Sequence, residues 1–355
     1  MQTLNHRGQI DGLRFFAFLG VFLIHSDIKH FWWGSYGVSI FFVISGFLIT
    51  RILIAFENRP RYQALKTFYA RRVLRIFPAY YLVLIVAAAT VGIDRVVAFL
   101  LYIMNWGIFF LTWMDPSLLD IAWDPVQMHG IHFWSLCVEE QFYLVFPLLF
   151  SILAPGRTRL YWLLLLWGAC IGCRFLFATF LPHTAYGLIP PVCGEYLVAG
   201  AVGAVLFSDT SDLGERVRAA ARQWMFPVGL ALVVALLVLA SPDSPSIEHV
   251  IHPPHTQTLL ALGFLAMVLG LWETDNRWVL GFFSYAPIRY LGRISYGLYL
   301  IHLFMWPLFD WLSADFPVLS DVSPMLARFG LTVLLAACMW RFVEAPILRL
   351  KEKFR

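Results

Sequence analysis

The chain has 355 residues, 60% of them hydrophobic and 14% charged, with 32 Phe and 14 Trp. Soluble domains carry about 25% charged residues, so this composition excludes a soluble enzyme and indicates a polytopic α-helical membrane protein, all-α in class. The net charge of +4 follows topology and implies no nucleic acid, and five cysteines, an odd number lying in apolar runs, argue against a disulfide framework.

Eleven apolar runs are visible, over about 12–27, 36–54, 77–93, 97–113, 133–153, 160–180, 192–207, 225–240, 256–272, 294–313 and 326–347. The first, IDGLRFFAFLGVFLIH, is too long for a cleavable signal and is expected to stay as an anchor. It carries Asp11, Arg14 and His25. At about 100° per residue, Arg14 and His25 fall within roughly 20° of one another, and His25 lies about 16 Å deeper. Titratable groups on one face of an apolar helix mark a functional site by default. The alternative reading leaves Asp11 and Arg14 at the headgroups, where they only cap the span.

In YGVSIFFVISGFLIT (36–50), the small residues Gly37, Ser39, Ser45 and Gly46 read as helix packing. The segment 51–75 then carries seven Lys or Arg, which makes it cytoplasmic by the positive-inside tendency. Arg72 and Arg75 share a helix face and Arg71 points elsewhere. Paired guanidiniums suit phosphate, whether on a ligand or on anionic lipid heads.

The run over 97–113 contains Asn105, two Trp and one Gly. If it spanned, 13 basic residues of later segments would face outside; if it is re-entrant or interfacial, 22 of the 26 lie inside. The exceptions are Lys29, Arg95, Arg174 and Arg328. Ten transmembrane helices with both termini cytoplasmic are therefore expected, in a single domain over 1–355. The segment 114–132 holds three Asp, two His and no Lys or Arg, and is expected outside with the Pro-rich loop 241–255.

In HGIHFWSLCVEEQFYLVFP (129–147), Ser135 and Glu139 share a face, Glu140 lies about 100° away, and His132, Trp134 and Gln141 add polar atoms. An intramembrane carboxylate needs a partner such as an imidazole or guanidinium. Cys170 and Cys173 form a C-x-x-C inside a span, read as packing; no metal is expected. In GRISYGLYLIHLFMWP (292–307), Ser295, Tyr299 and His302 are spaced to line one face, although a lone His there also fits a satisfied bundle residue. The chain closes on RFVEAPI, with Glu344 two residues before Pro346.

Six pieces, DGLRFFAFLGVFLIH, FFVISGFLI, FYARRVLRIFPAYY, HFWSLCVEEQFYLVFP, ISYGLYLIH and VEAPI, occur in this order. Together they resemble the acyltransferase-3 family of integral membrane O-acyltransferases. The resemblance implies acyl transfer from a cytoplasmic acyl-CoA, by default acetyl-CoA, to a hydroxyl of a cell-surface glycan, lipid-linked saccharide or related secondary product. It places the chain in a bacterial inner membrane as a stand-alone form without the extracytoplasmic hydrolase-like domain of longer relatives. Position by position, it implies His25 as the catalytic imidazole with Glu139 as the acid. Arg14, Arg72 and Arg75 are implied for the acyl-CoA donor, and Trp134, Ser135, Tyr299 and His302 for substrate. His25 would serve as general base, with Glu139 fixing its tautomer, or would itself be acylated. Two other readings of the intramembrane charges are a secondary transporter or flippase and a non-catalytic scaffold.

Overall fold

The computed structural model describes residues 7–26, 31–93, 96–118, 130–239, 253–315 and 323–353. Lys29, Arg95, most of the acidic segment 114–132 and most of the loop 241–255 lie outside the described residues. What is described is all helical, with no strand among those residues, in a polytopic bundle. Eight of its helices are long and apolar enough to cross a membrane. They match the expected spans except the first run and the one over 294–313.

Those two exceptions have physical reasons. The first helix, α1 (Gly8–Ile24), has 17 residues, about 25 Å at 1.5 Å per residue, against a hydrocarbon core of about 30 Å. The run over 294–313 is broken into α14 (Ser295–Ile301), a 3-10 turn (His302–Phe304) and α15 (Met305–Asp315). Pro307 explains the break, because it has no N–H to give and its ring collides with the carbonyl one turn back.

The run over 97–113 is also interrupted. It forms α4 (Val97–Leu100) and α5 (Met104–Met114). The 11 residues of α5 reach about 16 Å, roughly half a bilayer. Between them Tyr102 adopts φ 53°, a left-handed conformation that costs a non-glycine residue. Side-chain bonds hold it there. Gln141 donates to the Tyr102 carbonyl at 2.6 Å and to Asn105 Oδ1 at 2.9 Å, and accepts from Trp106 Nε1 at 3.1 Å.

The remaining long helices are α2 (Tyr36–Ala55), α3 (Arg61–Val91), α6 (Trp134–Ile152), α7 (Arg157–Phe180), α8 (Pro190–Ser208), α11 (Pro254–Glu273) and α16 (Pro324–Met339). A further continuous span joins α9 (Asp212–Ala220), a π-helical stretch (Ala221–Met225) and α10 (Phe226–Leu239). Shorter pieces α12 (Arg277–Phe283) and α13 (Ala286–Arg293) lead into α14, and α17 (Ala345–Arg349) follows a second π-helical stretch, Trp340–Glu344.

Helices α8 and α11 are the best buried of the eight spans, whereas α7 and the α9–α10 span expose most of their apolar surface. Lipid is as apolar as leucine, so helices associate here by close approach of small residues. A Cβ at Gly46 of α2 would collide with the Leu197 carbonyl of α8, and one at Gly200 of α8 with the Val43 carbonyl of α2. A Cβ at Gly37 of α2 would collide with the Ala17 carbonyl of α1, and one at Gly292 of α13 would strike the Asp11 carbonyl of α1. These contacts hold α1 between α2 and the α12–α13 elbow, so the polar face of α1 looks into the bundle.

Candidate active site

One cavity, about 800 Å³ including its mouth, opens among α1, α2, α3, α6 and α14. Arg14 reaches it from α1, Ser45 from α2, and Arg72 and Arg75 from α3. Helix α6 contributes Ser135, Glu139 and Tyr143, each four residues from the next and so on one face. Glu140 also lines the wall, as do Ser295, Tyr296 and Tyr299 of α14.

Three guanidiniums and two carboxylates thus face one space. Glu139 accepts a hydrogen bond from Ser45 Oγ at 2.5 Å, with Arg14 and Arg72 as its charged neighbours. The Arg72 guanidinium lies 4.7 Å from the centre of the Tyr143 ring, and that of Arg14 lies 5.9 Å from Phe41. Arg14 Nε and Ser295 Oγ are buried donors with no acceptor among the described residues. Such groups are costly to bury unless something fills them.

The cavity wall formed by Ser135 and Tyr299 leads to a second polar cluster. Their hydroxyls lie 2.6 Å apart, and the carbonyl of His132 accepts from Tyr299 at 2.8 Å and from Ser135 at 3.1 Å. Three imidazoles gather there. The His25 and His302 rings are 5.2 Å apart, and those of His132 and His302 are 4.7 Å apart.

Their hydrogen bonds assign the tautomers, since a carbonyl can only accept. His25 Nδ1 lies 2.8 Å from the Val21 carbonyl, so Nδ1 carries the proton and Nε2 keeps its lone pair. His302 Nδ1 lies 2.7 Å from the Tyr299 carbonyl, which likewise leaves its Nε2 bare. That bare nitrogen stands 3.3 Å from His25 Nδ1 and accepts from it. His132 Nε2 points to the Leu300 carbonyl at 3.3 Å.

The structure therefore brings the expected residues together in two groups. Arg14, Arg72, Arg75, Glu139, Ser135 and Tyr299 line the cavity. Arg71 turns away from it to lie over Phe56. His25 belongs to the imidazole cluster, and its side-chain partners are His302 and the Val21 carbonyl. Glu139, engaged by Ser45 and the arginines, is not what orients it. His302 is 0% exposed and packs against the Tyr299 ring, with ring centres 5.5 Å apart. Trp134 also leaves the site and packs edge-on against Phe42, with ring centres 6.1 Å apart. Cys170 and Cys173 are free thiols. Among the described residues, no three His, Cys, Asp or Glu are arranged to hold a metal ion.

Several site residues escaped the sequence. Ser45 read as packing because a small hydroxyl in a Gly-rich helix has that role by default. Tyr143 was available as the next step of the Ser135–Glu139 spacing. Glu140 was set aside as off-face, but the cavity wraps far enough to include it. His132, three before Ser135, carried the same cue.

Comparison with known proteins adds a second line. A family model described as an acyltransferase domain matches residues 7–342. A peptidoglycan O-acetyltransferase of Listeria monocytogenes is 27% identical over 363 residues, covering 95% of this chain and 55% of that protein. A putative O-acetyltransferase of Staphylococcus aureus is 26% identical, covering 95% and 56%. A putative peptidoglycan O-acetyltransferase of Bacillus subtilis is 26% identical, covering 98% and 56%. The chain thus spans about half the length of the curated relatives it matches. No solved structure matches.

Proposed function

Since the chain belongs to the acyltransferase-3 family, whose model covers residues 7–342, we propose that it is a membrane O-acetyltransferase acting on a cell-wall glycan, with acetyl-CoA as donor. The observation that carries this reading is the cavity wall itself. Three guanidiniums converge there, and two buried donors, Arg14 Nε and Ser295 Oγ, await an acceptor. A ligand rich in phosphate oxygens supplies such acceptors, and paired guanidiniums bind phosphate in a planar fork. The peptidoglycan acceptor is taken from the names of the relatives.

The chemistry follows from the order of the groups. Arg72, Arg75 and Arg14 hold the donor's phosphates at the end of the bundle where basic residues concentrate, which we place in the cytoplasm along with both termini. The thioester then lies toward Ser135 and Tyr299. His25, with its Nε2 bare, takes the proton of the acceptor hydroxyl as that oxygen attacks the thioester carbonyl. The C–S bond breaks and the thiolate receives the proton from Nε2, giving an ester and a free thiol. A positioned base of this kind contributes roughly 10²–10⁴ in rate. Glu139 offsets the guanidiniums and, through Ser45, fixes α6 against α2.

Mass spectrometry of the host's surface glycans tests the reading. Cells making the wild-type chain should carry an acetyl ester that cells making His25→Ala lack, with both chains present in the membrane in equal amount. Unchanged ester content in the variant would overturn it. So would movement of a substrate by the purified wild-type chain with no thiol released from acetyl-CoA.

A further inference from the structure

We infer that His302 is the positioning residue for His25, taking the place that a carboxylate holds in a hydrolase triad, and that Tyr299 ties this pair to the donor cavity. The inference rests on the reading of His25 as the transfer base.

His302 is fully buried among Phe18, Tyr299, His132 and His25. No carboxylate is among these ring neighbours, and a charged imidazole there would be costly, so the ring is neutral. A neutral imidazole has one N–H and one lone pair. The Tyr299 carbonyl claims the N–H at Nδ1, 2.7 Å away. The lone pair at Nε2 therefore faces the Nδ1–H of His25, 3.3 Å away. The same N–H also reaches the Val21 carbonyl at 2.8 Å, and the two acceptors together hold His25 in the orientation and tautomer whose Nε2 is free to act as a base.

When His25 takes the acceptor's proton it becomes an imidazolium. The only mobile charge in the cluster then sits beside a lone pair already aimed at it. An aspartate in this place would keep His25 partly charged before reaction, and burying that charge at this depth is expensive. A neutral imidazole supplies the acceptor without a permanent charge. Tyr299 supplies the link, because its ring and hydroxyl line the cavity while its carbonyl fixes His302.

The chain geometry was built for this by the break at His302. The 3-10 turn His302–Phe304 brings His302 Nδ1 back onto the carbonyl three residues earlier. A continuous α-helix would offer that carbonyl to the N–H of residue 303 instead.

The test compares two replacements of similar size. His302→Gln keeps an acceptor oxygen and an N–H, whereas His302→Leu keeps neither. Purified full-length protein in liposomes is given acetyl-CoA and purified peptidoglycan, and thiol release is followed. Wild type sets the reference, and His25→Ala shows whether release depends on the base at all. His302→Leu should lose kcat by on the order of 10² with the KM for acetyl-CoA within about twofold, since the arginine wall is untouched. His302→Gln should recover most of that loss. Imidazole ¹⁵N NMR of His25 in micelles gives a second readout that needs no substrate. The His25 Nδ1–H signal should keep its wild-type place in His302→Gln and move in His302→Leu, where only the Val21 carbonyl is left to accept it. Full activity in His302→Leu, or equal loss in Leu and Gln with an unchanged His25 Nδ1–H signal, would overturn the inference. If His25→Ala is as active as wild type, the proposed function falls first, a distinguishable result.

Discussion

At the scale of residues, the informative pairings are those between helices distant in the chain. Spacing within one helix exposed Ser135 with Glu139, and separated Arg72 and Arg75 from Arg71. It could not expose His25 with His302, which lie 277 residues apart. Nor could it show that Ser45 would meet Glu139, because a serine beside Gly46 has a complete explanation as packing.

A residue beyond the last span belongs to the same cationic neighbourhood. Burial, and then the guanidiniums of Arg75, Arg72 and Arg71, push the Lys351 ammonium down to about 7. An unfolded lysine titrates near pH 10.4. Between about pH 7 and pH 10 the folded chain thus binds fewer protons than the unfolded one, and stability rises with pH across that window. Lys351→Met should remove this component. Melting temperatures in detergent from about pH 7 to about pH 9.5 should climb more for wild type than for the variant. Parallel curves for the two proteins would contradict the assignment.

At the scale of elements, helix contacts divide into those made by absence and those made by charge. Gly46 and Gly200 let α2 and α8 touch backbone to backbone. Helices α7 and α8 are joined instead by a buried ion pair, Arg174 Nε to Glu195 Oε2 at 2.7 Å, with Arg174 also bonding the Val192 carbonyl at 3.1 Å. The side chains are 7% and 0% exposed. Removing one partner of such a pair leaves a buried charge and costs about 3–5 kcal/mol, whereas replacing both with apolar groups is often neutral. Glu195→Leu should therefore strongly lower the unfolding temperature in detergent, and Arg174→Met with Glu195→Leu should restore most of it. A double variant no better than the single one would show that the pair does more than join two helices. Arg174 stood out in the sequence only as an exception to the charge rule; its partner 21 residues on explains why it is tolerated.

The breaks are the other lesson at this scale. Hydropathy sees 294–313 as one span because its residues are apolar. It does not see that Pro307 ends one helix and lets His302 turn back on Tyr299. In 97–113, by contrast, the polar residues that spoil the span are the ones that matter: Asn105 and Trp106 bond Gln141 and hold the bend at Tyr102.

At the scale of the whole molecule, class and composition of the bundle were legible, since 60% hydrophobic content leaves few alternatives. The division of the site into two groups was not. It depends on how five helices meet, and periodicity describes one helix at a time. Sidedness rests on charge, and accessibility of single cysteines checks it. In a background without other cysteines, Arg216→Cys should resist a membrane-impermeant thiol reagent in intact cells and react once the membrane is opened. Met114→Cys, at the exposed end of α5, should react in intact cells. The reverse pattern would invert the topology and move the arginine-lined cavity to the other face.

The hydroxyl pair of Ser135 and Tyr299 has a further consequence, for the bilayer rather than for the reaction. A route with guanidiniums at one end and imidazoles at the other is a ready path for hydrogen ions. Two hydroxyls 2.6 Å apart, with the carbonyl of His132 within reach of both, stand between the two groups. The same pair borders the arginine-lined cavity, so a hydrogen ion moving between the two groups would have to pass it.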